Sequence, residues 1–287
     1  MDIKPIKIRL KITGKCNKSC FFCHKEGGDN IDDFLLDDDF INCMNEFEKI
    51  GIKNVILTGG EPTLCPDFEK ICQYLSKKFH VTVVTNGSIV KDWSKIQVNK
   101  ITISIHSLNP EKMIKLENIK RTKSWAKKEI EKIKINITNI INSKKEARIN
   151  LVVTDRESLK EAENLSHTGI EVRLLNNLND IKNSQKIINN FIKEKKATKR
   201  YEYRRMSNHT AYYDGELKFS TKISYPFYFD AICKDCSFKK KCYEGFYGLR
   251  LEKRGGYYVR LCLYKNLIYP YKDFLKSRMK NDFLKLC

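Results

Sequence analysis

No apolar run in this 287-residue sequence approaches the roughly 20 residues that a membrane-spanning helix needs. The apolar core of a secretory signal is missing too, because Met1 to Leu10 alternates Lys and Ile. Both absences point to a cytoplasmic protein with no membrane partner. There is no internal repeat and no low-complexity linker, so solenoids and long tethers are excluded. Acidic residues are scarce: 35 Asp and Glu stand against 55 Lys and Arg, a formal net charge of +20. Such a charge attracts anions, nucleotides and RNA among them, but says nothing about fold. With 41% hydrophobic residues the chain is not disordered, and it is long enough for one large domain or two small ones.

In a reducing compartment, eleven cysteines read as metal ligands or catalytic thiols rather than disulfides. Cys16, Cys20 and Cys23 form C-x3-C-x2-C near the start. Cys233, Cys236 and Cys242 form C-x2-C-x5-C near the end, and Cys262 follows. Soft thiolates on short loops select iron–sulfur clusters or zinc. A structural zinc site takes four ligands. The first group has three, and His24, directly after Cys23, is awkwardly placed to converge with them and reads as a loop residue. Three thiolates on a [4Fe–4S] cluster leave one iron open to a small molecule, which makes the site catalytic. For the second group the competing reading is a structural zinc knuckle. Cys43 and Cys72 lie on apolar helix faces and read as buried small hydrophobes, Cys65 reads as structural, and Cys287 as a free terminal thiol.

Residues 6–13 alternate as a strand leading into the first cysteine loop. A helix over 36–50, strand 55–58, a helix near 66–79 and strand 80–85 follow. Then come a short helix, strand 100–105, a long basic helical region over 110–143, strand 147–153, a helix near 156–166 and strand 170–175. Strands alternating with helices predict parallel β/α units in one sheet buried on both faces, closing as a partial (β/α)6 barrel. Ligands then belong at the C-terminal strand ends, where the cysteine loop, Gly59-Gly60-Glu61-Pro62 and Asn86-Gly87 all fall. Past residue 195 the pattern changes to short aromatic and basic strands and a last helix near 271–285. The expected division is a barrel over 1–195 and a second domain over 196–287.

CNKSCFFC after the first strand, with GGEP after the second, resembles the radical S-adenosylmethionine superfamily. The resemblance implies that Cys16, Cys20 and Cys23 hold a [4Fe–4S] cluster whose open iron is chelated by S-adenosylmethionine. One-electron reduction then yields a 5′-deoxyadenosyl radical that abstracts hydrogen from substrate. It places Gly59, Gly60, Glu61 and Pro62 against the methionine portion, Phe22 against the adenine, and Asn86 beside the cofactor. Ser104 and Asn150 match polar positions that reach the methionine carboxylate or the ribose. RLKITGKCNKSCFFC and GLRLEKRGGYYVRLCL look like the branch containing the GTP cyclase of molybdenum-cofactor biosynthesis, which carries a second [4Fe–4S] cluster. That branch implies substrate contacts by Arg9 and Arg250, a cluster on Cys233, Cys236, Cys242 and Cys262, and a small anionic or nucleotide-like substrate. An electron donor such as flavodoxin or ferredoxin is implied as a partner. The C-x2-C-x5-C spacing departs from that branch and resembles the auxiliary-cluster domains of peptide-modifying radical enzymes, so a peptide substrate is the alternative.

Other features favour plain roles. His106 reads as a satisfied structural histidine, Tyr212, Tyr213, Tyr243 and Tyr247 as core tyrosines, and the Lys/Arg cluster at 193–205 as a solvated helix face. Nucleic acid is not expected as a partner. The contrasting class is a zinc-bound RNA-binding protein with no enzymatic activity.

Overall fold

The computed structural model describes residues 7–23, 31–117, 120–243, 246, 248–265 and 267–286. His24, Tyr247 and Cys287 lie outside the described residues. Strands β1 (Lys7–Lys11), β2 (Asn54–Thr58), β3 (His80–Thr85), β4 (Lys100–Ser104), β5 (Glu146–Val153) and β6 (Glu171–Asn176) pair side by side in sequence order, all parallel. Between and after them run α1 (Asp38–Lys49), α2 (Phe68–Ser76), α3 (Pro110–Leu116), α4 (Lys123–Asn142), α5 (Glu157–Ser166) and α6 (Ile181–Glu194). This is the expected partial β/α barrel.

The strand alternation decides what each face carries. In β1, Ile8 and Leu10 turn to the helices, as do Val55 and Leu57 of β2 and Val81 and Val83 of β3, all fully buried in one core with Phe40, Phe47 and Phe68. Each such side chain contributes about 1.5–3 kcal/mol by leaving water. The opposite face carries Arg9, Asn54, Lys100, Arg148 and Arg173, which surround a cavity. The inner face is buried too, as expected from the sequence, at Lys100, Thr102 and Arg173, but it is polar and encloses space.

The strands after residue 195 extend the same sheet at both edges. β7 (Thr198–Arg205), β8 (Asn208–Asp214) and β9 (Phe219–Ser224) form an antiparallel meander, and β9 runs parallel beside β6. After the short α7 (Asp230–Cys233), β10 (Leu249–Lys253) runs parallel beside β1 on the other edge and pairs with β11 (Tyr257–Cys262), which pairs with β12 (Leu267–Pro270). Helices α8 (Tyr271–Lys276) and α9 (Arg278–Leu286) finish the chain.

Local departures from the sequence reading have local causes. The region over 110–143 is two helices: α3 starts on Asn109 and Pro110, and α4 starts at Thr122, whose Oγ1 accepts the Trp125 N–H at 3.1 Å. No helix separates β3 from β4; that loop is pinned by Asn136 of α4 instead. The basic cluster at 193–205 is the end of α6 and strand β7, not one helix face. Its charges are partly paired, as in Lys195–Glu163 at 2.6 Å and Lys199–Glu202 at 2.7 Å.

Candidate active site

The cysteine loop leaves β1 at the C-terminal end of the barrel. Cys16 and Cys23 are exposed there and Cys20 is half-buried. The GGEP turn after β2 docks directly on this loop: Gly60 N–H donates to the Thr13 carbonyl at 3.0 Å and Glu61 N–H to the Lys15 carbonyl at 2.8 Å. A Cβ on Gly59 would stand 2.3 Å from the Thr13 carbonyl oxygen, and one on Gly60 would stand 2.2 Å from that of Lys15. Loop-on-loop packing thus demands both glycines before any ligand is considered.

Glu61 is fully buried. Its carboxylate accepts the Thr63 N–H and hydroxyl, the Thr85 hydroxyl at 2.7 Å and the Asn86 N–H at 2.6 Å. Burial raises its pKa, and the hydrogen bonds act against that. Pro62 opens a short 3-10 turn behind it. Asn86 in turn donates to Asn17 of the cysteine loop at 3.0 Å, while Asn17 donates to Ser88 at 2.7 Å. The ends of β2 and β3 and the cysteine loop are therefore one hydrogen-bonded unit.

Phe22 is buried and meets His106 edge-on, ring centroids 4.5 Å apart. His106 accepts the Val152 N–H on Nδ1 at 3.2 Å, and burial, then Lys18, pushes its pKa down to about 3. It is a neutral, positioned imidazole, as the structural reading of it expected. Ser104 and Asn150 are register partners across β4 and β5, and Asn150 is in register with Arg173 of β6. Arg9 and Arg250 are register partners across β1 and β10, and a small cavity there also touches Lys11, Glu252 and Arg260.

The second cysteine group lies at the other end of the barrel. β10 runs parallel to β1 and β11 runs back, with Arg260 opposite Arg250, so Cys262 ends level with the start of β1, across β10 from it. Lys265 Nζ donates to the Ile232 carbonyl at 2.7 Å and ties this end of β11 to the α7 turn bearing Cys233. Cys233, Cys242 and Cys262 are buried and Cys236 is half-buried.

Among the described residues, no three Cys, His, Asp or Glu side chains stand close enough to ligate one metal ion. A cubane cluster spreads its thiolates around four irons, and the donor sets here, sulfur alone, suit such a cluster. Backbone N–H groups already point at two of the sulfurs: Lys18 N–H at Cys16 Sγ and Lys265 N–H at Cys262 Sγ, both 3.4 Å. Burial, then Glu117, pushes the Cys20 thiol up to about 12, so iron binding there must displace a proton. Cys43, Cys65 and Cys72 are buried elsewhere; the Cys65 thiol donates to the Phe34 carbonyl at 3.3 Å. Tyr212 stacks on Tyr201 and Tyr213 on Phe219, as structural tyrosines do.

Between the two ends lies the main cavity, about 290 Å³. Arg9 and Asn150 line it, as do Arg148, Arg173, Tyr203 and Lys222, which the sequence reading did not single out, and Arg205, which that reading left in a solvated basic cluster.

Comparison with known proteins agrees with this geometry. The Radical SAM superfamily model matches residues 10–168. The GTP 3′,8-cyclase of Aquifex aeolicus is 37% identical over 127 residues, 40% of this chain and 40% of that protein. A probable GTP 3′,8-cyclase of Methanosarcina acetivorans is 32% identical over 122 residues, 39% of this chain and 36% of that protein. The chain thus spans about two fifths of the length of these relatives. Among solved structures, Streptococcus suis SuiB superposes with a TM-score of 0.54 at 16% identity, covering 76% of this chain and 49% of that one. That likeness is one of fold. The family match covers more than half of the sequence and sets aside the zinc-bound, non-enzymatic reading: the chain belongs to the radical SAM superfamily, whose members bind a [4Fe–4S] cluster and S-adenosylmethionine.

Proposed function

We propose that this chain applies radical chemistry to a small anionic, nucleotide-like molecule held inside the barrel. The observation that carries the reading is the charge of the main cavity, where seven Lys or Arg side chains face one carboxylate, Glu146. Two of the arginines fix its character. Arg148 donates Nε and Nη2 to the two oxygens of Glu171, at 2.8 and 3.2 Å, and Ser220 adds a third hydrogen bond at 2.6 Å. Arg173 is 7% exposed and donates Nε to Ser220 at 3.0 Å and Nη2 to Tyr212 at 2.8 Å. Glu171 also lies 3.5 Å from Arg173, so one carboxylate serves two guanidiniums. Burial, then Arg148, lowers the pKa of Arg173. Burying a cation in excess costs several kcal/mol, and an anion in the cavity offsets that cost through the N–H donors Arg173 has left.

The cluster would supply the one electron that breaks a carbon–sulfur bond of S-adenosylmethionine, giving methionine and a 5′-deoxyadenosyl radical to take a hydrogen atom from substrate. The protein contributes placement. Cys16, Cys20 and Cys23 would hold the cluster, and Phe22, Asn86, Ser104 and Asn150 would surround the cofactor. Arg173, in register with Asn150, would set the anionic end of the substrate beside it. Arg9 and Arg250 would serve the same substrate from the opposite wall. Cys233, Cys236, Cys242 and Cys262 would hold a second [4Fe–4S] cluster at the far end, in a C-terminal part, 196–287, that walls the cavity of the 1–195 barrel. Electrons would come from a flavodoxin or ferredoxin in the cytoplasm.

The test is 5′-deoxyadenosine release by anaerobic, reduced holoenzyme given S-adenosylmethionine and a panel of nucleotides. A nucleoside triphosphate should stimulate release at least tenfold over its uncharged nucleoside, and Arg173→Met should abolish the stimulation while leaving the basal release. Equal response to the nucleoside, or an unaffected Arg173→Met, contradicts the reading. A second reading, modification of a peptide, is favoured by one feature. β7 is an edge strand with an exposed face, and its Tyr203 and Arg205 reach the cavity, so an extended peptide could pair there. Stimulation by an acidic peptide and not by nucleotides would support it.

A further inference from the structure

Beneath the cysteine loop a second cavity, about 40 Å³, brings together Lys18, Cys20, Ser104, His106 and Glu117. Glu117 and Lys18 have no part in the function proposed above. Glu117 is 5% exposed and follows α3 directly. On Oε2 it accepts the N–H of Ser19, which lies between two of the cluster cysteines, at 2.9 Å. Its backbone bridges Cys20 in antiparallel fashion, and Phe21 N–H donates to the Leu116 carbonyl at 3.1 Å. Residues 19–21 of the cysteine loop are therefore seated on the end of α3, with a buried carboxylate at the seat. Lys18, half-buried, lines the same cavity with the opposite charge.

We infer that Glu117 and Lys18 are positioning residues that set the reduction potential of the cluster on Cys16, Cys20 and Cys23, Glu117 lowering it and Lys18 raising it. The inference rests on the family assignment, which supplies the cluster, and is independent of the substrate. Reduction adds one negative charge to the cluster. A buried carboxylate opposes that charge and an ammonium favours it, and the burial of Glu117 and partial burial of Lys18 reduce the screening of both effects by salt. Glu117 acts in the same direction a second way. It takes up the Ser19 N–H, which would otherwise be free for a cluster sulfur, and hydrogen bonds to the sulfurs are among the terms that set such potentials. The neighbouring Lys18 N–H does reach Cys16 Sγ, so this loop can present amides to sulfur. No electron beyond the one delivered by the reductant is involved: the residues change how readily the cluster accepts it.

The experiment is an anaerobic redox titration of the reconstituted holoprotein, followed by the EPR signal that responds to S-adenosylmethionine. Glu117→Gln keeps the size of the side chain and an oxygen for the Ser19 N–H, and removes only the charge. Its midpoint should rise by about 59 mV, a tenfold gain in reduced cluster at fixed potential for one electron. Glu117→Asp, which keeps the charge, should stay nearer the wild type. Lys18→Met should move the midpoint the other way. If Glu117 serves only as a seat, Glu117→Gln titrates like the wild type, and the inference is overturned. Should Glu117→Gln lose its iron, Lys18→Met decides: a midpoint unchanged or raised overturns the inference. Failure of the family assignment is distinguishable, because the wild type itself would then give no signal sensitive to S-adenosylmethionine.

Discussion

Replacing Gly60 with Ala puts a methyl group where two loops touch. The new Cβ would stand 2.2 Å from the Lys15 carbonyl oxygen, 2.5 Å from its carbon and 2.8 Å from Cys16 Cβ. Two of these are backbone atoms, so no side-chain rotation relieves the clash. Overpacking of this kind costs about 1–3 kcal/mol. If the loops separate instead, the bonds from Gly60 N–H to Thr13 and from Glu61 N–H to Lys15 are lost, at about 1 kcal/mol each. Either way the cost lies at roughly 1–3 kcal/mol, and at about 2 °C per kcal/mol for a chain of this size the melting temperature should fall by roughly 2–6 °C. Since Cys16 is among the displaced atoms, iron bound at the first site should fall with it. Gly215→Ala is the control: the nearest atom to its Cβ is 3.6 Å away, so the change should stay within about 0.5 kcal/mol. Differential scanning calorimetry and iron content decide. A Gly60→Ala protein that melts with Gly215→Ala and holds as much iron refutes the claim that the glycines are there for loop packing.

Asn136 is fully buried and makes four hydrogen bonds to the β3–β4 loop and Trp93, so Asn136→Ala should cost about 3–5 kcal/mol, read as a lower urea midpoint at unchanged m-value. Burial alone would raise the pKa of Glu171 and Glu252, but Arg148 and Arg260 respectively outweigh it and hold both below the ordinary carboxylate range. Their contribution to stability is therefore present above the unfolded value, about pH 4.3, and is lost as pH falls through the lower folded values. Melting temperatures from pH 7 down to 3 should drop across that acid window, and Glu171→Gln with Glu252→Gln should flatten the drop while lowering the neutral-pH value. Replacing Cys233 and Cys262 with Ala should halve the iron per chain from the roughly eight expected of two cubane clusters, measured on anaerobically reconstituted protein; unchanged iron would place no cluster at the second group.

The cysteine spacing and GGEP could be read without a structure because ligand chemistry constrains residue type and spacing together. Strand order followed from β/α alternation for the same reason: KIRLK, NVILT and KITIS each announce a strand. The cavity was harder to see. Alternation in β1 separates Ile8 and Leu10 from Lys7 and Arg9, but it does not say that the second set faces an enclosed space shared with Arg148, Arg173 and Lys222 of distant strands. Helix α6 carries Ile188 and Phe191 at helical spacing, yet its dense Lys and Asn content hides that stripe, and the sequence reading assigned no element there. The break between α3 and α4 has no Pro or Gly near its start; its one local signal is the N-cap Thr122. The packing role of Gly59 and Gly60 was not legible for a general reason: a sequence shows that a Cβ is absent, while only the packed loops show which atoms take its place.

The most direct test of the account is the cluster on Cys16, Cys20 and Cys23 in a variant lacking the second cysteine group. Anaerobic, reduced Cys233→Ala/Cys236→Ala/Cys242→Ala/Cys262→Ala protein should hold about four irons, and its EPR spectrum should change on addition of S-adenosylmethionine, with hyperfine coupling to cofactor labelled in the amino and carboxylate groups. A reduced cluster whose spectrum ignores the labelled cofactor would mean that no iron is open to it, and would contradict the account.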